Sequence, residues 1–180
     1  AARSLGILGG DKAEEALIGK LNKSSPELQK QIILALGNSG SKKTAELNSK
    51  KTTGALIHKL RDKDLELRKC AAEALGKLED PESVDPLLEC LGDTNPEVRN
   101  AAAYSLGTLR AEKAIDALLG MLTEEDSELR ITAVYALGNI GSRKAVDALL
   151  KTLDDSNPWV RRYAAEALAK IGDKKATAPL

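Results

Sequence analysis

The sequence holds no phenylalanine, one histidine, one methionine, two cysteines and only four aromatic residues among 180. The aromatics are Tyr104, Tyr135, Trp159 and Tyr163, so an interior of this size must be built from Ala, Leu, Ile and Val. A lone His58 beside Lys59 excludes any multi-histidine metal centre. Two cysteines cannot form a disulfide framework, and the spacing of Cys70 and Cys90 has no metal signature. The longest uninterrupted aliphatic run, Ile32 to Leu36, is far short of the ~20 residues of a membrane span. No charge of either sign is in excess, with 27 basic and 27 acidic residues, so there is no general drive onto nucleic acid or anionic lipid. The first 60 residues carry ten basic and five acidic residues and the remainder 17 and 22, a polarity too mild for a nucleic-acid footprint. The sequence begins without methionine, and no leader is recognisable in it. The expected location is the cytoplasm.

What is present is a repeat. Leu5-Gly6, Leu36-Gly37, Leu75-Gly76, Leu106-Gly107, Leu137-Gly138 and Leu168-Ala169 are spaced 31, 39, 31, 31 and 31 residues apart. Ala16, Ala55, Pro86, Ala117, Ala148 and Pro179 keep the same register, and so do Arg68, Arg99, Arg130 and Arg161. Three markers in one register define the organisation of the whole chain.

Each repeat reads as two helices. First helices are expected over 12–22, 52–61, 81–92, 112–122 and 143–153, and second helices over 26–38, 65–78, 96–109, 127–140 and 158–171. Apolar residues recur along one face, as in Val98, Ala101, Ala102, Leu106 and Leu109. Ser25, Asp64, Asn95, Asp126 and Asn157 form a column of N-caps, whose side-chain oxygens accept a free backbone N–H. Pro26, Pro96 and Pro158 follow at the first helical position. Gly9, Gly40, Gly141 and Gly172 are suited to left-handed closure of the second helix. The Leu-Gly glycine sits inside that helix at a cost of ~1 kcal/mol, which implies close approach of neighbouring backbones; Ala169 suggests that a methyl is sometimes accommodated. A two-helix repeat cannot bury its apolar face alone, so the expected fold is an all-α, right-handed α-solenoid. Residues 1–180 read as a single array of five whole helix pairs with half a pair at each end. No polar capping repeat is visible, so the array reads as a segment of a longer protein whose raw ends invite end-to-end self-association.

The 39-residue interval marks an insertion of eight residues. Ser41-Lys42-Lys43-Thr44 recurs as Ser49-Lys50-Lys51-Thr52, so a tandem duplication adds Ser41 to Asn48, either looped out or lengthening the next helix. The series Asp93, Asn95-Pro96-Glu97-Val98-Arg99, Ala102-Ala103 and Leu106-Gly107 resembles a HEAT repeat. More narrowly, it is similar to the short HEAT-like repeat of phycobilisome lyase subunits. The uneven repeats and the insertion point to a natural sequence rather than a designed consensus. The resemblance implies that Asp62, Asp93, Glu124 and Asp155, each six residues before Arg68, Arg99, Arg130 and Arg161, form an acid–arginine ladder between successive repeats. An anion-binding row of arginines is the other reading, disfavoured because each arginine comes with its own acid. The first repeat departs at both places, with Lys23 and Gln29, and a softer junction is expected there.

The resemblance also places one stripe of each second helix on a concave side. It reads Glu27, Lys30, Leu34, Asn38; Glu66, Lys69, Glu73, Lys77; Glu97, Asn100, Tyr104, Thr108; Glu128, Ile131, Tyr135, Asn139; and Trp159, Arg162, Glu166, Lys170. Tyr104, Ile131, Tyr135 and Trp159 are apolar or amphipathic where packing does not require it, with Tyr163 flanking them. Either they pack down on neighbouring helices or they form a recognition strip, since Tyr, Trp and Arg are frequent binding anchors. The expected arrangement is the strip, with Arg162 and Glu166 as polar selectors and Leu34 as a separate contact. No convergent catalytic groups, metal or cofactor site is found. The expected function is a non-catalytic scaffold holding a protein or peptide in the groove. One alternative is a bilin-lyase-type or other enzyme accessory subunit. Another is a HEAT-like nucleic-acid binder, opposed by Glu66, Glu73, Glu97, Glu128 and Glu166 along the stripe.

Overall fold

The structure is a computed structural model that describes residues 11–39 and 46–173. The described residues form ten α-helices and no strand. They are α1 (Asp11–Leu21), α2 (Pro26–Ser39), α3 (Glu46–Lys59), α4 (Leu65–Leu78), α5 (Val84–Cys90), α6 (Pro96–Thr108), α7 (Ile115–Met121), α8 (Ser127–Ile140), α9 (Val146–Thr152) and α10 (Pro158–Ile171). The second helices lie where the periodicity puts them. The last three first helices are shorter than expected, because each opens with a 3-10 turn, Pro81–Ser83, Glu112–Ala114 or Arg143–Ala145. The helix α3 starts at Glu46, so the end of the inserted stretch is helical, while residues 40–45 lie outside the described residues.

The chain separates into two compact units, Ala1–Ser105 and Leu106–Leu180. In the first, α1 packs on α2, α3 on α4, and the second helices α2 and α4 pack on each other. In the second, α7 packs on α8, α9 on α10, and α8 on α10. This stacking of helix pairs is that of an α-solenoid. Leu36, Leu75, Leu106, Leu137 and Leu168 are all buried, as are Leu17, Leu56, Leu87, Leu118 and Leu149 on the first helices. The column Ile32, Ala71, Ala102, Ala133 and Ala164 is buried as well. Small residues on the second helices let the backbones approach, which is how a core without phenylalanine closes.

The recurring glycine has a direct cause. A Cβ on Gly37 would lie 2.7 Å from Ala74 Cβ, one on Gly107 would lie 2.6 Å from Ala136 Cα, and one on Gly138 would lie 2.8 Å from Ala167 Cβ. Gly76 meets Ser105 in the same way, and the Ser105 hydroxyl is satisfied by donating to the Ala72 carbonyl at 2.8 Å. Ala169 takes the same place in α10 and is exposed.

The N-cap column forms as its residue types dictate. Asp64, Asn95, Asp126 and Asn157 each accept the backbone N–H two residues on, at 2.8–2.9 Å. Gly141 and Gly172 close α8 and α10 with φ of 74° and 67°; Gly9 and Gly40 lie outside the described residues. In the same column Glu79 and Arg110 adopt φ of 55° and 51°, left-handed closures by side chains that carry a Cβ.

Candidate interaction site

In the first unit the outward stripe of the second helices is cross-linked by charge. Lys30 Nζ lies 2.7 Å from Glu66 Oε2, and Lys69 Nζ lies 2.6 Å from Glu97 Oε2. The hydrogen bond from Lys30 holds the Glu66 carboxyl below its ordinary range and raises the Lys30 ammonium in turn. Leu34 is half-buried between them in sequence, while Tyr104 on α6 is 51% exposed.

In the second unit the same register carries different chemistry. The places of Lys30 and Glu66 are taken by Ile131 on α8 and Trp159 on α10. Asn157 and Pro158 set the start of α10, and the Trp159 N–H donates to Asn157 Oδ1 at 2.8 Å. Trp159 is therefore fixed in the first turn, 55% exposed. The Arg162 guanidinium lies 5.5 Å from its ring centroid, within range of a cation–π contact, and Arg162 Nε donates to Glu166 Oε1 at 2.9 Å. Ile131, Tyr135 and Tyr163 are half-buried. Tyr135 and Tyr163 line a depression of about 120 Å³ with Gly138, Asn139, Glu166 and Lys170. Lys170 Nζ donates to Asn139 Oδ1 across it. The structure thus brings Tyr135 and Glu166 together; Leu34 and Tyr104 belong to the other unit. Sequence reasoning did not single out Asn139 and Lys170, although both stand two residues after the marker leucine.

The acidic and arginine columns form a clamp. Arg68 donates through Nε and Nη2 to Asp93 at 2.8 and 3.1 Å, and through Nη1 to the Asp62 carbonyl at 3.0 Å. Arg130 does the same to Asp155, at 2.8 and 2.9 Å, and to the Glu124 carbonyl at 2.8 Å. Each arginine therefore holds its own loop and the acid of the following repeat, 25 residues on. Asp93 and Asp155 also accept the N–H of Asn95 and Asn157 at 2.8 Å. Arg99 and Arg161 hold the carbonyls of Asp93 and Asp155 through Nη1. The pairing corrects the expectation for the first repeat. The residue opposite Gln29 is not Lys23 but Asp62, and losing the arginine would leave Asp62 without a cation. Lys59, 4% exposed, fills that place, with Nζ 2.6 Å from Gln29 Oε1 and 2.9 Å from Asp62 Oδ2. Burial opposes the Asp62 charge, but the bonds from Lys59 and from the Asp64 N–H outweigh it and keep the carboxyl below its ordinary range.

His58 is exposed. Cys70 and Cys90 are free and buried, and burial pushes the Cys90 thiol up to about 11, which leaves little nucleophilic thiolate at neutral pH. No group of metal-ligating side chains occurs among the described residues, and no described helix is long and apolar enough to cross a membrane.

No curated protein matches the sequence. Among solved structures, the complex of CpcE and CpcF of phycocyanin lyase from Nostoc sp. PCC7120 is similar at a TM-score of 0.78 and 27% identity, over 91% of this chain and 66% of that one. An engineered protein is similar at 0.66 and 27%, over 95% and 88%. A designed armadillo repeat protein solved with the peptide (KR)4 is similar at 0.65 and 22%, over 94% and 90%, which bears on the fold alone. The family model of HEAT repeats matches residues 14–107, 53–131 and 120–180, and the chain belongs to the HEAT repeat family.

Proposed function

We propose that this protein is a non-catalytic interaction scaffold of the cytoplasm that holds a protein or peptide against the outward face of its second helices. The principal surface is Ile131, Tyr135, Trp159, Arg162 and Glu166, with Tyr104 and Leu34 as separate contacts. One observation carries the reading. At a register position where the first unit holds an ion pair, α10 presents an indole that is 55% exposed, with the Arg162 guanidinium 5.5 Å from its ring centroid. Exposed aromatics are frequent anchors of binding surfaces. The test is affinity capture of partners on the wild-type chain and on the double variant Tyr135→Ala, Trp159→Ala. A specific partner is expected to be retained by the first and lost by the second, with equal helical circular dichroism. A partner held equally by both moves the site elsewhere.

The similarity to the CpcE–CpcF complex favours a second reading, in which the partner is the companion subunit of an enzyme and the surface serves assembly. Co-purification of a stoichiometric subunit, with or without a visible chromophore, separates this from transient peptide binding.

A further inference from the structure

We propose that the turns joining first to second helices are a contact surface for a second copy of this chain, the basic turns of one copy seating on the acidic turns of the other. This surface is distinct from the outward stripe and stands without the docking reading above.

Equivalent turns of the five repeats do not carry equivalent charge. The segments 20–25, 59–64, 90–95, 121–126 and 152–157 have net charges of +2, +1, −1, −3 and −2. The sign changes once along the chain. Both positive turns lie in the first unit, and the two most negative ones lie in the second.

Part of this charge is neutralised inside the fold. The clamps hold Asp93 and Asp155, and Lys59 holds Asp62. Arg61 reaches Glu89 at 2.8 Å. What remains is opposite in the two units. Lys20, Lys23 and Lys63 are exposed and make no ion pair among the described residues, and the same is true of Glu125, Asp126 and Asp154. Folding accounts for one of these six side chains only, Asp126, which caps α8. The rest join neither a cap nor a clamp.

The segregation selects the partner. Nucleic acid or an anionic membrane would be drawn to the first unit and repelled by the second. A second copy supplies both signs. In a two-fold pair each copy offers its basic turns to the partner's acidic ones and receives the same in return, so every contact forms twice. Lys151 and Arg161 are exposed beside the last turn and weaken its field, which makes the turn at 121–126 the main negative contact. Exposed ion pairs are individually weak, so apolar area must contribute. Leu28 and Leu65, 42% and 37% exposed, follow the two basic turns.

Sedimentation equilibrium of the whole chain at submillimolar concentration tests this, at ~0.1 M and ~1 M salt, where charges are screened over roughly 10 and 3 Å. The expected result is a dimer at the lower salt, with a dissociation constant at least tenfold higher at the upper. Glu125→Lys with Asp154→Lys makes both patches basic and is expected to leave a monomer. Lys23→Glu with Lys63→Glu makes both acidic and is expected to do the same. An equimolar mixture of the two double variants restores complementary patches and is expected to dimerise, which also shows that both variants fold. A wild-type chain that stays monomeric at ~0.1 M salt overturns the proposal, as does a mixture that stays monomeric. Association that survives either reversal overturns it too and places the contact elsewhere, as at the ends of the array.

Discussion

The ammonium of Lys59 lies 2.9 Å from Asp62 Oδ2, in a register column that holds Lys20, Cys90, Met121 and Thr152 in the other repeats. In this column a lysine is buried at the one junction where glutamine stands for arginine. The two departures compensate each other, because Asp62 keeps a cation although Gln29 cannot supply it.

Lys59→Met is therefore expected to lower unfolding free energy by about 1–3 kcal/mol, the cost of leaving Asp62 poorly satisfied. Adding Gln29→Arg should recover most of that loss by restoring the clamp of the later repeats. Urea unfolding of the two single variants and the double variant gives the coupling. Additive effects would mean that Lys59 does not act through Asp62.

The clamp predicts unequal arginines. Arg130→Ala removes both the contact to Asp155 and the loop contacts, so a loss of about 1–3 kcal/mol is expected. Among the described residues, Arg161→Ala removes contacts to the Asp155 and Ser156 carbonyls, and in this chain it should cost less. Thermal unfolding of both variants ranks them.

Acid should weaken the same junctions. The hydrogen bonds from Arg68 and Arg130 hold Asp93 and Asp155 below the ordinary carboxylate value of 3.8. The unfolded chain then binds more protons than the native one, so this stabilisation is complete above that value and is lost as pH falls through the lowered native values. Stability measured from pH 6 to pH 2 should drop at the acid end. In Asp93→Asn with Asp155→Asn the drop should be shallower, from a lower starting point.

The glycine column gives a packing test. Gly138→Val should cost about 1–3 kcal/mol or more by overpacking against Ala167, whereas Ala169→Gly should cost no more than about 1 kcal/mol, the helix-propensity difference. The left-handed closures give the reverse sign. Glu79→Gly and Arg110→Gly relieve a Cβ in an unfavourable region, and each is expected to stabilise by about 0.5–1 kcal/mol, visible as a raised melting temperature.

The sequence made most of the fold legible because the markers recur. Leu36-Gly37 and its successors set register, and Asp64, Asn95, Asp126 and Asn157 set helix starts by local chemistry alone. What it hid depends on partners distant in sequence. Gln29 and Lys23 looked like a joint loss because they share a repeat, yet the clamp joins Arg68 and Arg130 each to an acid of the following repeat. Glu79 and Arg110 gave no sign of left-handed backbone, since only glycine announces it. At the surface, Trp159 and Tyr135 stood out as rare aromatics, but Asn139 and Lys170 did not, because polar residues on an outward stripe look alike until one is seen to bond the other.

The most direct test of the interaction surface is the affinity of a captured partner for Tyr135→Ala, Trp159→Ala relative to wild type, measured alongside circular dichroism. The account predicts an unchanged helical signal and binding at least tenfold weaker, a loss of 1.4 kcal/mol or more. Loss of the helical signal would make these residues core, and full affinity in a folded variant would place the partner on another face.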